Sequence, residues 1–227
     1  MNNENLEFLQ ESLRYLGFGD KLFLNQELTE YITQELNSFQ LETEIFFEEG
    51  KKLEVTLYFR KSVNIEMYFF NKYEARLRTG TDPSVYKVQT FYIQKGTGIT
   101  LKEAFNLLEG RAVNKNMINL DGQKYNAWIL LNLAEKDEYN NYKVAQFRPQ
   151  HGYDLERILE KYPIRELHDS DLKASLLRSL RKGNQHHVTF DKPSKTEKMI
   201  IEANPRFRTI NIYPVKSKQI VSPKYSG

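Results

Sequence analysis

Three features of the chain predict an α+β fold. Helical periodicity is confined to separate blocks, strict two-residue alternation runs between those blocks, and consecutive strands follow each other through short polar turns instead of alternating with helices. The first block holds Leu6, Leu9, Leu13 and Leu16 at helical spacing, ended by Gly17 and Gly19. Leu28, Tyr31, Ile32, Leu36 and Phe39 repeat the pattern after Asn25, so two amphipathic helices open the chain. From Leu41 the period falls to two: Leu41, Thr43, Ile45 and Phe47, then Leu53, Val55, Leu57 and Phe59, then Val63, Ile65, Met67 and Phe69, separated by "EEGKK" and "RKS". These read as three strands of an antiparallel meander with one buried face, the other face carrying Glu42, Glu44, Glu54, Arg60 and Glu66. Weaker alternation in "YEARLR" and "VYKVQTFYI" predicts two more strands, and "TGTDPS" between them is a loop by composition.

A second pass of helix and strand begins at Thr100. Leu101, Ala104, Phe105 and Leu108 form a helical stripe, and "QKYNAWILLNL" and "YKVAQF" alternate like paired strands joined by "AEKDEYNN". Alternation puts Tyr125 and Trp128 on opposite faces, one of them in the core. Leu155, Ile158 and Leu159 mark a short helix, and Leu172, Leu176, Leu177 and Leu180 another. "HHVTF", "KMIIEA" and "FRTINIY" read as three strands with "DKPSKTE" and "NPR" as turns. The organisation expected is a helix-helix-meander domain over 1–97, an α+β module over 98–214 with antiparallel strands, and a mobile polar tail over 215–227.

The stretch from Tyr92 to Lys115 places Gly96 and Gly98 between a strand and a helix, the order used by phosphate-gripping loops. The Lys and Ser or Thr of a P-loop and the third glycine of a dinucleotide loop are both missing at the required offsets. What fits is a capping box, with Thr100 accepting from the N–H of Glu103 and Glu103 reaching back to the N–H of Thr100. Gly110 stands where a C-terminal cap belongs.

With 227 residues, 40% of them hydrophobic, the chain can bury a core without staples. The absence of Cys excludes disulfides, thiolate zinc sites and a cysteine nucleophile. The start "MNNENLEFLQ" lacks the basic and apolar regions of a signal peptide, and no apolar run approaches a membrane span, so a cytoplasmic protein without a membrane partner is expected. His151, His168, His186 and His187 offer little for metal or acid–base chemistry. Asp154 reads as a helix N-cap beside His151, Asp169 to Asp171 as a helix start beside His168, and a strand sends His186 and His187 to opposite faces. No catalytic residue, metal site or cofactor is expected.

The net charge of +3 conceals an asymmetry: 1–80 holds about 9 basic and 14 acidic residues, 81–170 about 12 of each, and 171–227 about 12 and 4. Arg178, Arg181 and Lys182 end a helix, where the dipole favours cations on its own account. With Lys173, Lys195, Lys198, Arg206 and Arg208 around Phe207, they also supply the ingredients of a nucleic-acid platform, cations for phosphates and an aromatic for a base. Lysines and arginines that guard strand edges against aggregation would look the same. A second surface is offered by Tyr58, Tyr68 and Phe70, which alternate with the inferred core of the meander and suit a protein partner if exposed; the alternative places them beneath the opening helices.

The segments "ITLKEAFNLLEGRAVNK", "GQKYNAWI", "HGYDLERILEKYPIREL", "SLRKGNQHHVTF" and "KMIIEANPRFRTINIY", with "ENLEFLQESLRYLGFGDKL" and "MYFFNKYEARL", resemble an uncharacterised family of Bacteroidetes conjugative and other mobile elements, over nearly the whole chain. The resemblance implies a mobile-element context, a recurring carboxy-terminal module that supports a boundary near Gly98, and no catalytic residues to transfer. The resulting expectation is a non-enzymatic accessory protein that binds DNA or RNA through its basic carboxy-terminal surface, the alternative being a protein-interaction module or host-defence modulator.

Overall fold

The computed structural model describes residues 3–19, 22–47, 50–78, 85–94, 98–119 and 121–215. The predicted α+β class is what is found: helices in blocks before the first sheet, between the first and second, and between the second and third, and ten antiparallel strands in three sheets among the described residues. The loop "TGTDPS", Gly96 and all of the tail except Val215 lie outside the described residues.

Helix α1 (Asn3–Tyr15) ends as its glycines require. Gly17 has φ +89°, and the Phe18 N–H donates to the Leu13 carbonyl at 2.9 Å, the long backward bond that closes a left-handed helix end. Helix α2 (Leu22–Thr33) follows, and Leu9, Leu13, Leu16 and Leu28 are buried as their spacing predicts. Strands β1 (Ser38–Phe46), β2 (Lys52–Lys61), β3 (Tyr68–Arg78) and β4 (Tyr86–Tyr92) form a meander in sequence order. α1 packs over β3 and α2 over β1. Between the layers runs an aromatic array: Phe39 stacks on Tyr31 at 5.2 Å and on Phe59 at 4.9 Å, and Tyr73 is flanked by Phe18 and Phe91. Asn5 pins α1 to the sheet, donating to the Tyr68 carbonyl at 2.9 Å and accepting from the Tyr68 N–H at 2.7 Å.

Two expectations for the meander are corrected. Val63 and Ile65 are not core residues but are 87% and 50% exposed in the β2–β3 connection. The Ser62 hydroxyl accepts from the N–H groups of Asn64 and Ile65, which lifts this stretch out of the ladder, and pairing resumes at Lys61 and Tyr68. The resumed strand has the opposite phase, with Tyr68 and Phe70 inward, and a bulge at Tyr58 and Phe59 absorbs the shift. "YEARLR" is the second half of β3 and not a strand of its own, so the described meander has four strands.

Helix α3 (Leu101–Leu108) begins with the predicted capping box. The Glu103 N–H donates to Thr100 Oγ1 at 3.4 Å and the Thr100 N–H to Glu103 Oε2 at 2.8 Å. Gly110, at φ +82°, follows its end. The Leu101 N–H donates to the Leu16 carbonyl at 2.8 Å, and Ala104, Phe105 and Leu108 join the same core as α1 and β1–β4. That first core therefore continues across Gly98.

The middle sheet comprises β5 (Val113–Ile118), β6 (Lys124–Lys136) and β7 (Tyr142–Phe147), with β6 central. β5 was not expected from the sequence. Adjacent residues of β6 serve different cores: Ile129 and Leu131 join the first with Val113, while Trp128 joins a second core. The second core is completed by α4 (Leu155–Leu159), α5 (Ser170–Arg181), and a last sheet of β8 (His186–Lys192), β9 (Lys195–Asn204) and β10 (Thr209–Pro214) in the order β10-β9-β8. Asp154 caps α4 by accepting from the Arg157 N–H, and Asp169 caps α5 by accepting from the N–H groups of Asp171 and Leu172, both as expected. No helix among the described residues is long and apolar enough to cross a membrane.

Candidate nucleic-acid interface

The carboxyl end of α5 is fixed by a buried polar knot. Leu176, Leu177 and Leu180 seat the helix on the second core, and its last carbonyls meet the corner between α3 and β5. Asn106, fully buried, donates to the Lys182 carbonyl at 2.7 Å and to Asn184 Oδ1 at 2.8 Å. Arg111 donates to Asn106 Oδ1 at 2.6 Å and to the Gly183 carbonyl at 3.0 Å. Burial lowers the Arg111 pKa, opposed by the nearby charges of Glu109 and Glu202. Gly183 has φ +78°, and a Cβ there would stand 2.9 Å from both the Ala112 carbonyl oxygen and Val113 Cγ2, so only glycine permits this approach.

The knot aims Arg178, Arg181 and Lys182 at a cleft of about 850 Å³ bounded by β4, α3, β5 and α5. Its apolar lining includes Phe91, Leu107, Ile129 and Leu131. All three cations are exposed, and none has an ion-pair partner among the described residues. Tyr15 and Tyr92, 60% and 65% exposed, also line it. The carboxylate in the lining, Glu103, is occupied by the Thr100 N–H and by Lys115 at 2.9 Å. The opening thus combines positive charge, exposed aromatic rings and an apolar lining.

The other expected cations fare differently. Lys173 pairs with Glu156 at 2.6 Å and Glu160 at 3.8 Å, and the hydrogen bond it donates to Glu156 raises its pKa. Lys195 and Lys192 share Glu197, and their hydrogen bonds hold that carboxyl down to about 2. Lys198 donates to Thr189 Oγ1 at 2.7 Å. Arg206, Phe207 and Arg208 are exposed in the β9–β10 turn, Phe207 at 73%. Strand register places this turn at the end of the last sheet where β8 leaves α5, because His186 pairs with Ile201 and Asn204 with Thr209. The Lys192–Lys195 hairpin is at the opposite end, six β8 residues or ~20 Å away. The structure therefore converges Arg178, Arg181 and Lys182, sets Arg206, Phe207 and Arg208 at the same end of the sheet, and separates Lys173, Lys195 and Lys198 from them.

The Tyr58, Tyr68 and Phe70 surface does not form. Tyr68 and Phe70 are 4% and 5% exposed within the first core, and Tyr58 lies on the other face beneath the Lys72 ammonium, 4.9 Å from its ring centroid. His151 accepts from the Arg148 N–H at 2.9 Å, and His186 and His187 alternate along β8 as expected, burial lowering the pKa of His186. Sequence reasoning missed Tyr15, Tyr92 and the amides of Asn114, Asn116 and Asn126, which share the cleft. The "NKN" at 114–116 is the trace of an edge strand with polar residues alternating, visible only once β5 is recognised. Comparison of the chain with protein-family models, with curated proteins and with solved structures finds no match.

Proposed function

We propose that the protein is a non-enzymatic, cytoplasmic accessory of a mobile genetic element that holds single-stranded nucleic acid in the cleft beside α5. One observation carries this reading: three cations without ion-pair partners among the described residues and two exposed tyrosines line one apolar opening. Cations follow a phosphate backbone, and aromatic rings and apolar walls receive unstacked bases. A duplex turns its bases inward and offers the tyrosines nothing to stack on. The mobile-element setting rests on the resemblance of the sequence segments.

Three neutralised phosphates on a single strand predict a log-log salt slope of about −2. Fluorescence anisotropy with labelled single- and double-stranded oligonucleotides tests this. The expected result is tighter single-strand binding with that slope. No binding at low salt, or retention equal to that of an inert protein of the same net charge, removes the proposal. The competing protein-docking reading has lost Tyr68 and Phe70 to the core and keeps only Tyr58.

A further inference from the structure

Resting on the single-strand reading above, we infer that the cleft reads base identity, favouring adenine, through the amide ladder of Asn114, Asn126 and Asn116. Asn114 pairs with Trp128 across the β5–β6 ladder and Asn116 with Asn126, so the three amides stand on the face of the middle sheet that carries Trp128. That face is the one turned toward the second core, and beyond Trp128 it enters the cleft beside Arg178 and Arg181.

The amides organise each other. Asn126 Nδ2 donates to Oδ1 of Asn114 at 3.0 Å and of Asn116 at 2.9 Å, and Asn114 Nδ2 donates back to Asn126 Oδ1 at 2.7 Å. An amide has two N–H donors and a carbonyl with two acceptor sites. Asn116 therefore retains both donors and one acceptor site, on an exposed side chain whose orientation is set by Asn126. A donor and an acceptor side by side match the N6 and N7 of adenine, whereas guanine presents two acceptors there, one of which would oppose the amide carbonyl. Adenine and guanine offer a similar π-face to an aromatic ring, so the amide decides between them.

Binding is measured by anisotropy with a ten-nucleotide oligothymidylate and with the same strand carrying a single central dA or dG. The expected preference for dA over dG is about tenfold, within the range of a good bidentate amide contact. Asn116→Ala should bring the ratio to about one. Equal binding of the dA and dG strands by the native protein, or an unchanged ratio in Asn116→Ala, overturns the inference but leaves the single-strand reading standing. Absence of binding to all three strands overturns both.

Discussion

The two ends of the α5–β8–β9 unit contain similar numbers of basic residues and have opposite electrostatic character. At the amino end of α5 and the β8–β9 hairpin, four cations are held by anions: Lys173 has Glu156 and Glu160, Arg165 has Asp191, and Lys192 and Lys195 share Glu197. At the carboxyl end of α5, Arg178, Arg181 and Lys182 face a cleft whose lining carboxylate is already bound to Lys115. A charge count along the sequence weighs these ends equally. Short-range pairing leaves only the second with an unspent field for an anionic ligand.

The largest expected effect contrasts the ends directly. Changing Arg178, Arg181 and Lys182 together to Gln should weaken single-strand binding by ~100-fold and flatten the salt slope toward zero, whereas changing Lys173, Lys192 and Lys195 to Gln, an equal loss of net charge, should cost less than ~3-fold. Comparable losses in both anisotropy titrations would erase the distinction.

Next in size is the anchoring of the carboxyl end. Gly183→Ala must adopt φ +78° and displace the Ala112 carbonyl and Val113, and is expected to destabilise by ~3 kcal/mol. Gly122→Ala has a similar φ of +79° but no atom within 4 Å, so ~1 kcal/mol is expected. Chemical denaturation of the two variants separates close approach from backbone strain, and equal midpoints would show that the approach is unimportant. A smaller change, ~1 kcal/mol, is expected for Thr100→Ala, which removes half of the capping box on the far wall of the cleft.

The smallest effect is a titration. Lys192 and Lys195 hold the Glu197 carboxyl at about 2, below its ordinary value of 4.5. A depressed carboxylate contributes to stability above pH 4.5 and loses that contribution as pH falls through about 2. The hairpin should therefore remain paired across the neutral range, and a carboxyl NMR midpoint near 2 is expected. A midpoint near 4.5 would mean lysines free to bind anions at the wrong end.

The fold was largely legible because its signals are local. Leu9 and Leu13, the Thr100–Glu103 box, and the caps Asp154 and Asp169 are each specified within a few residues, and each is found as expected. β3 failed because a seryl turn at Ser62 reversed the phase of an apparently regular alternation, which hydrophobicity alone cannot register. β5 was illegible because an edge strand alternating Asn with Lys and Met carries little apolar signal. For the site, the helix-borne cations were readable, but the rest of the lining was not: Tyr15, Tyr92 and Asn116 share a cleft with Arg178 only through tertiary packing. The pairing of Lys192 with Glu197 is a cross-hairpin event that required the register of β8 and β9, and it completes the same-strand pair of Lys195 with Glu197.

Trp128 and Ile129, neighbours on β6, are buried in different cores. Each half of the molecule is consequently roofed by the same strand, and melting either one strips the shelter from the other. A fragment beginning at Gly98 would carry Val113, Ile129 and Leu131 bare to water and clump with its copies. For the intact chain the same shared wall means a single cooperative melting event, and a strand lodged in the cleft would stiffen both halves at once.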